Sequence, residues 1–301
     1  MGPFFEHYKE IIPDFSDFQE SLQKPLPGHI RVNRLKAESG ALVRTLNEKG
    51  IHLKKAMDGD ETLFFAPNLV HPGNLIEYFL GYIHPQALTS CLVSLILSPK
   101  GHSSIIDLCA SPGGKTSHLA QLMDNTGLII ANEPYSTRHV ALGNTLNRLG
   151  VLNTIVTAYQ AQEFPLKHQR FDYVLADVPC SGEGIFRSIN KHSGYQGRDT
   201  KEGLTSLQKR IIKRGFDLLK GDGQMVYATC TYDPEENESV VNHLLKRRDA
   251  DLFPIDTDLG HEPGLSEWKG ERYDNRLRRT IRFYPHRVDS VGFFVARIGR
   301  R

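Results

Sequence analysis

The sequence predicts an α/β fold: an open, parallel sheet preceded by a small α+β module. From Ser104 onward, short apolar runs alternate with amphipathic helical patterns. Runs such as YVLA (173–176) are near-continuously apolar, as strands covered on both faces are. The first run passes into a glycine-rich turn and then a helix pattern, DLCASPGGKTSHL (107–119).

In chain order, HIRVNRL (29–35) reads as a strand and AESGALVRTLNEKG (37–50) as a helix closed by Gly50. IHLKKA (51–56) and ETLFFAP (61–67) read as short strands. The stretch 73–97 reads as a connection running into a core helix that holds Cys91 as a packing residue. This places a boundary near Gly81, with residues 1–80 as an N-terminal module and 81–301 as the main domain. The main domain then gives SIIDL, GLIIA, NTIVTA, FDYVLAD and QMVYATC as strands, with helices at 116–123, 136–150 and 234–248. Asp233, Pro234 and the acids after them read as the start of the last helix. Residues 188–203, SINKHSGYQGRDTKEG, read as a long polar loop able to move.

The 301 residues, 39% of them hydrophobic, suffice for one large domain plus a smaller one. Thirty-seven Lys and Arg balance 35 Asp and Glu, so any basic face must be local. The four cysteines have no CxxC spacing, which argues against a zinc cage or disulfide framework and for reduced thiols, with no metal. The start, MGPFFEHYKEIIPDF, lacks the basic end and apolar core of a secretion signal, and no apolar run approaches a membrane span. The expectation is a cytoplasmic monomer with no membrane partner.

In parallel α/β sheets ligands bind beyond the carboxyl ends of the strands. There, Gly113 and Gly114 let backbone approach a ligand ahead of a helix expected to begin near Thr116. The GGKT sequence is not a nucleotide-triphosphate loop, since GxxxxGK[ST] needs glycine where Cys109 stands. GxGxxG is missing too, which weakens a dinucleotide reading. An adenosyl ligand remains, with Glu133, 19 residues after Gly114, as acceptor for two ribose hydroxyls. S-adenosylmethionine fits this pattern; a tight turn beside an exposed glutamate would read the same way.

Two further strand ends carry thiols. Asp177 closes one apolar run ahead of Cys180, and Cys230 closes another. Thiols beside an acid suit covalent activation of a pyrimidine: attack on carbon 6 makes carbon 5 nucleophilic enough to take a methyl group, and loss of the carbon-5 proton expels the enzyme. Asp177, protonated or sharing a proton, would act at ring nitrogen 3. A free thiol has a pKa of about 8.5 and needs help to ionise, for which Lys115 ranks ahead of the helix start after Asp233.

DLCASPGGKT, DVPCSGEGIFR and YATCTYDPEENE, in that order, closely resemble motifs of the Nol/Nop/Sun (NSUN) family of RNA cytosine-5 methyltransferases. RVNRLK, HPQALTS and RFYPHRVDSVGFFVARI look like its other landmarks, so the resemblance covers most of the chain; GEGIFR and PEENE look closest to the bacterial ribosomal-RNA branch. The resemblance implies a Rossmann-like methyltransferase sheet whose last strand, GFFVARI, is antiparallel, and an N-terminal module resembling an RNA-recognition fold. It implies S-adenosyl-L-methionine as cofactor and rRNA or tRNA as partner, with 5-methylcytosine as product. It also assigns Cys230 as nucleophile and Cys180 as the thiol that helps release the methylated base; DNA cytosine methyltransferases instead take the cysteine of the PC pair as nucleophile.

By the same resemblance, Cys109, Ala110, Ser111, Pro112, Gly113, Gly114 and Lys115 wrap the methionine part of the cofactor. Glu133 takes the ribose, Arg138 lies near the same pocket, and Asp177 faces both cofactor and base. Gln160 stands where the family usually has an acid accepting the adenine amino group; its amide oxygen can still accept, without charge assistance.

Residues 269–287 carry seven Lys and Arg against two acids, with Tyr273, Phe283 and Tyr284 between them. That pattern suits phosphate contact and base stacking, or a solvated basic face. Lys24, Arg31, Arg34, Lys36, Lys54 and Lys55 give the N-terminal module a basic content open to the same two readings. His84, His118 and His286 show no metal spacing. The rival readings are a DNA methyltransferase acting through Cys180 and an RNA-binding assembly factor without turnover, to which only Gln160 points.

Overall fold

The computed structural model describes residues 4–166, 170–188 and 201–301. Most of the polar loop expected at 188–203 falls outside the described residues.

The small module holds β1 (His29–Val32), α2 (Ser39–Glu48), β2 (Lys54–Lys55), β3 (Leu63–Phe65), a short α3 (Ile76–Phe79) and β4 (Ile83–Pro85), with α1 (Phe15–Ser21) ahead of them. Its antiparallel sheet runs β2-β3-β1-β4. Glu38 caps α2 by accepting from the amides of Gly40 and Ala41 at 2.8 and 2.6 Å, and Gly50, at φ +77°, leaves the helix in the left-handed region. Leu42 and Leu46 lie on its buried face, against Ile30, Val32, Phe64 and Ile83.

The main domain follows as α4 (Leu88–Leu97), β5 (Ser104–Asp107), α5 (Gly114–Leu122), β6 (Leu128–Asn132), α6 (Ser136–Leu149), β7 (Thr154–Thr157), β8 (Phe171–Asp177), α7 (Lys201–Asp217), β9 (Leu219–Thr229) and α8 (Glu238–Leu245). Then come β10 (Ala250–Phe253), β11 (Glu262–Pro263), a hairpin of β12 (Glu267–Trp268) and β13 (Glu271–Arg272), β14 (Ile281–Phe283) and β15 (Phe293–Arg300). Among the described residues the main sheet runs β11-β14-β15-β9-β8-β5-β6-β7, with β10 also on β15. Strands β5 to β9 are parallel, and β15 joins antiparallel to β9, as the resemblance implied.

This is the expected Rossmann-like architecture, with apolar layers on both faces of the central strands. β7 is an edge strand, where Ile155 and Val156 are 54% and 40% exposed. None of the helices in the described residues is long and apolar enough to cross a membrane.

The division at residue 80 needs two corrections. β4 pairs with β1 through Val32 opposite Ile83, so the small sheet extends to Pro85. Residues at the amino end, Tyr8, Ile12, Phe18 and Leu22, pack on Tyr232 and Tyr284 of the main domain instead of on the small sheet. Polar contacts clamp the two parts. Asn33 donates to the carbonyls of Gly81 and Leu149 at 2.9 and 2.8 Å, and Lys36 donates to the Arg148 carbonyl at 2.8 Å, a favourable place for a cation at the end of α6. At Gly81, φ +77°, a Cβ would come within 2.0 Å of that same carbonyl, so only glycine fits the seam.

Candidate active site

β8 and β9 lie side by side in parallel, with Asp177 opposite Ala228. Their carboxyl ends therefore release Cys180 and Cys230 into one place, with the two sulfurs 3.3 Å apart. The surrounding turn is held from below. Ser181 and Thr231 share a hydroxyl contact of 2.7 Å, Thr231 donates to Glu183 at 3.0 Å, and the Gly184 amide donates to the Cys230 carbonyl at 2.8 Å.

The helix expected straight after Asp233 starts later, at Glu238. Residues 234–237 instead fold back over β9: Tyr227 donates to the Glu236 carbonyl at 2.6 Å, and Asn237 donates to the Thr231 carbonyl at 3.0 Å. The Glu236 carboxylate, buried, accepts from the Ser181 amide at 3.0 Å and from Gln208 at 2.7 Å. Its pKa is raised, chiefly by burial. Glu236 thus braces the Cys180 turn, while Glu238 opens α8.

Cys180 is pushed well above the ordinary thiol range, first by its hydrogen bond to Cys230, then by burial and by the charges of Cys230 and Glu236. Cys180 therefore stays a thiol and can donate to its neighbour. Lys115, in the first turn of α5, places Nζ 2.6 Å from Asp177 Oδ2 and 5.1 Å from the centre of the Phe293 ring. Burial works against the Lys115 charge, but Asp177, then Cys230 and Asp107, outweigh it and raise its pKa. Asp177 and Lys115 thus form a half-buried pair at the carboxyl end of β8. Lys115, Asp177 and Cys230 line one cavity of about 450 Å³. Its other wall comes from the amino-terminal part, including Pro27, His29, Pro85 and Gln86.

The glycine-rich turn lies next to it. α5 begins at Gly114, two residues earlier than expected, and Gly113 takes φ +100° with its amide 2.7 Å from the Ala110 carbonyl. Glu133, one residue past β6, is buried and pairs with Arg138 at 3.1 Å; Arg138 also donates to the Ser111 carbonyl at 2.9 Å. Arg138 therefore joins the turn of Cys109–Lys115 to the acid at the next strand end. Burial raises the Cys109 thiol pKa well above its ordinary value, so this residue is a packing and lining group. Gln160 lies beyond the end of β7 and is exposed. Open backbone at a helix start, a buried acid and a polar side chain at three successive strand ends suit an adenosyl ligand carrying a charged amino-acid tail.

Two residues escaped the sequence reading. Asn132 donates to the carbonyls of Leu108 and Tyr159 at 3.1 and 2.8 Å, and accepts from Thr157 and from the Tyr159 amide, so it ties three strand ends together. Asp107 accepts from Thr116 at 2.7 Å, and burial, opposed by that bond and aided by the charge of Asp177, pushes it up to about 6. Its position at the end of the first strand was the available signal.

The basic segment 269–287 does not form the expected stacking track. Tyr273, Phe283 and Tyr284 are buried. Arg282 is buried against Glu238, Arg276 pairs with Asp274 and Asp251, Arg287 with Asp14, and Lys269 with Glu235. In the small module Arg31 is also fully buried. It donates to Ser117 at 2.8 Å, to Gln121 at 2.5 Å and to Gln86 at 3.2 Å, pinning β1 to α5. Among the described residues no group of three or more His, Cys, Asp or Glu could hold a metal.

Comparison with known proteins agrees with this geometry. Residues 94–299 match the family described as 16S rRNA methyltransferase RsmB/F. The chain is 37% identical over 293 residues to the tRNA (cytosine(49)-C(5))-methyltransferase of Pyrococcus abyssi, covering 97% of this chain and 94% of that one. It is 37% identical over 294 residues to the human 28S rRNA (cytosine(4447)-C(5))-methyltransferase, covering 95% of this chain but 36% of that one. The chain thus spans about a third of the human relative's length. A crystal structure of a methyltransferase homolog from Pyrococcus horikoshii superposes with a TM-score of 0.84 at 33% identity, covering 95% of this chain and 90% of that one. With the matched region enclosing both thiol motifs and the glycine-rich turn, the chain belongs to the RsmB/F methyltransferase family.

Proposed function

We propose that the chain is an RNA cytosine-5 methyltransferase that uses S-adenosyl-L-methionine, with Cys230 as nucleophile. The single observation that carries this is the meeting of Cys180 and Cys230, 3.3 Å apart, in register with an Asp177–Lys115 pair. The relatives' names add cytosine carbon 5 and RNA.

Lys115 favours a thiolate at Cys230 through its charge. Addition of that sulfur to carbon 6 moves the carbon 5–carbon 6 electron pair onto carbon 5, while Asp177 and Lys115 hold the ring edge. Cys109–Lys115, Glu133, Arg138 and Gln160 would hold S-adenosyl-L-methionine, which would supply the methyl group. Loss of the carbon-5 proton to solvent water then restores the double bond and expels Cys230 as its thiolate, and the Cys180 thiol, donating a hydrogen bond to the departing sulfur, eases its release. Pro27, His29, Pro85 and Gln86 line the same cavity as Lys115, Asp177 and Cys230, which supports reading the amino-terminal part as an RNA-binding module. The target base must leave its stack to reach this wall. Free thiols suit a reducing, cytoplasmic setting.

Incubation with labelled S-adenosylmethionine and ribosomal or transfer RNA, followed by nucleoside analysis, is expected to give labelled 5-methylcytosine. Label in another nucleoside would contradict the reading. No binding of S-adenosylmethionine by folded protein in calorimetry would favour an assembly factor.

A further inference from the structure

We propose that the groove between α7 and α8 is a track for the phosphate backbone of the RNA, an inference that rests on the proposed RNA substrate. The groove has a volume of about 660 Å³. Five cations line it, Lys209, Arg210, Lys213, Arg247 and Lys269, against the carboxylates Glu235 and Glu271. Lys269 is neutralised by Glu235 at 3.0 Å, whereas Lys209, Arg210 and Lys213 have no ion-pair partner among the described residues. His243 also lines the groove, and its imidazole pKa is lowered, first by burial and then by Arg247, Lys209 and Lys213. Positive charge without ion-pair partners favours a polyanion.

The groove also lies where such a strand has to pass. α8 follows the end of β9, which carries Cys230, and α7 runs into the start of β9 two residues on. Gln208, adjacent to Lys209, donates to the carbonyl of Pro179 at 2.9 Å, one residue before Cys180. Glu235, on the groove wall, adjoins Glu236, which braces the Cys180 turn. From Lys209 to Lys213 the helix rises about 6 Å, the length of about two nucleotides of a helical strand. The cations at 209, 210 and 213 thus follow the path of a strand whose neighbouring base sits in the cavity. Trp268, on the rim with Lys269 5.4 Å from its ring centre, offers an aromatic surface beside the charges.

The test is the salt dependence of binding to a fluorescein-labelled RNA hairpin with a cytosine in its loop, compared between wild type and Lys209→Ala/Lys213→Ala. Loss of two phosphate contacts lowers the slope of log K against log salt by about 2 and weakens binding roughly tenfold or more at low salt. Lys209→Arg/Lys213→Arg keeps the wild-type slope. Lys209→Gln/Lys213→Gln carries the same expectation as the alanine pair should that pair unfold, and S-adenosylmethionine affinity by calorimetry stays unchanged in all three. An unchanged slope in the neutral variants overturns the proposal, as does weaker binding without a change of slope. A wild-type chain that binds the hairpin but transfers no methyl group contradicts the enzymatic reading and leaves the slope to decide the groove; a wild-type chain that binds no RNA overturns both.

Discussion

The sulfurs of Cys180 and Cys230 lie 3.3 Å apart although 50 residues separate them, because β8 and β9 are adjacent and in register. The contact divides the labour. Cys180 is held well above the ordinary thiol range, first by this contact and then by burial, and the proposed nucleophile is therefore its neighbour Cys230. Cys230→Ala is expected to lower methyl transfer by at least about a thousandfold with RNA and cofactor affinity kept. Filter-binding and transfer assays on the same preparation check this.

Lys115 pairs with Asp177 at 2.6 Å, and the charge of Cys230 acts on it too. Removing a cation beside a thiol makes its anion harder to form, so Lys115→Met moves the rising limb of the pH–rate profile to higher pH. A shift of one unit is about tenfold in rate at neutral pH. A profile that loses height without moving would assign Lys115 to binding alone.

Asp107 makes stability depend on pH. Its carboxyl is raised from 3.8 to about 6, so between these values the folded chain holds a proton that the unfolded chain has lost. More protons on the native state means that stability falls as pH rises through this window and is fully retained only below about 3.8. Asp107→Asn removes this component and flattens thermal midpoints between about pH 4 and pH 6. A wild-type midpoint that rises through the window by the same amount in both proteins would contradict it.

Arg31 is a buried cation whose side-chain contacts among the described residues are neutral, and burial lowers its pKa to about 10. Arg31→Met leaves Gln121 and Ser117 without their donor and is expected to cost about 2–4 kcal/mol. Because those partners sit on α5, cofactor affinity falls with stability. Denaturant midpoints and calorimetry on one preparation check the pairing of the two losses.

Strand positions, the glycine-rich turn, Glu133 and the thiol pair were legible because each is a local pattern: apolar runs, a turn sequence, an acid or cysteine at a strand end. What was not legible depends on partners distant in sequence. Arg31 reads as surface charge until Ser117 and Gln121, about 90 residues on, enclose it. Tyr273, Phe283 and Tyr284 read as stacking residues among cations, but their neighbours are neutralised by Asp251, Glu238 and Asp14 from other segments. β4 read as a connection because three residues carry too little pattern, and only its pairing with β1 reveals it. The α7 cations escaped notice because spacing along a helix does not show what faces it.

The division of roles between the thiols is tested most directly by Cys180→Ser incubated with S-adenosylmethionine and substrate RNA, then digested and mapped by mass spectrometry. The account predicts a stable adduct of a methylated cytosine on Cys230, since the first bond forms and its release is slowed. Normal turnover with no adduct, or a nucleotide attached at another residue, would contradict it.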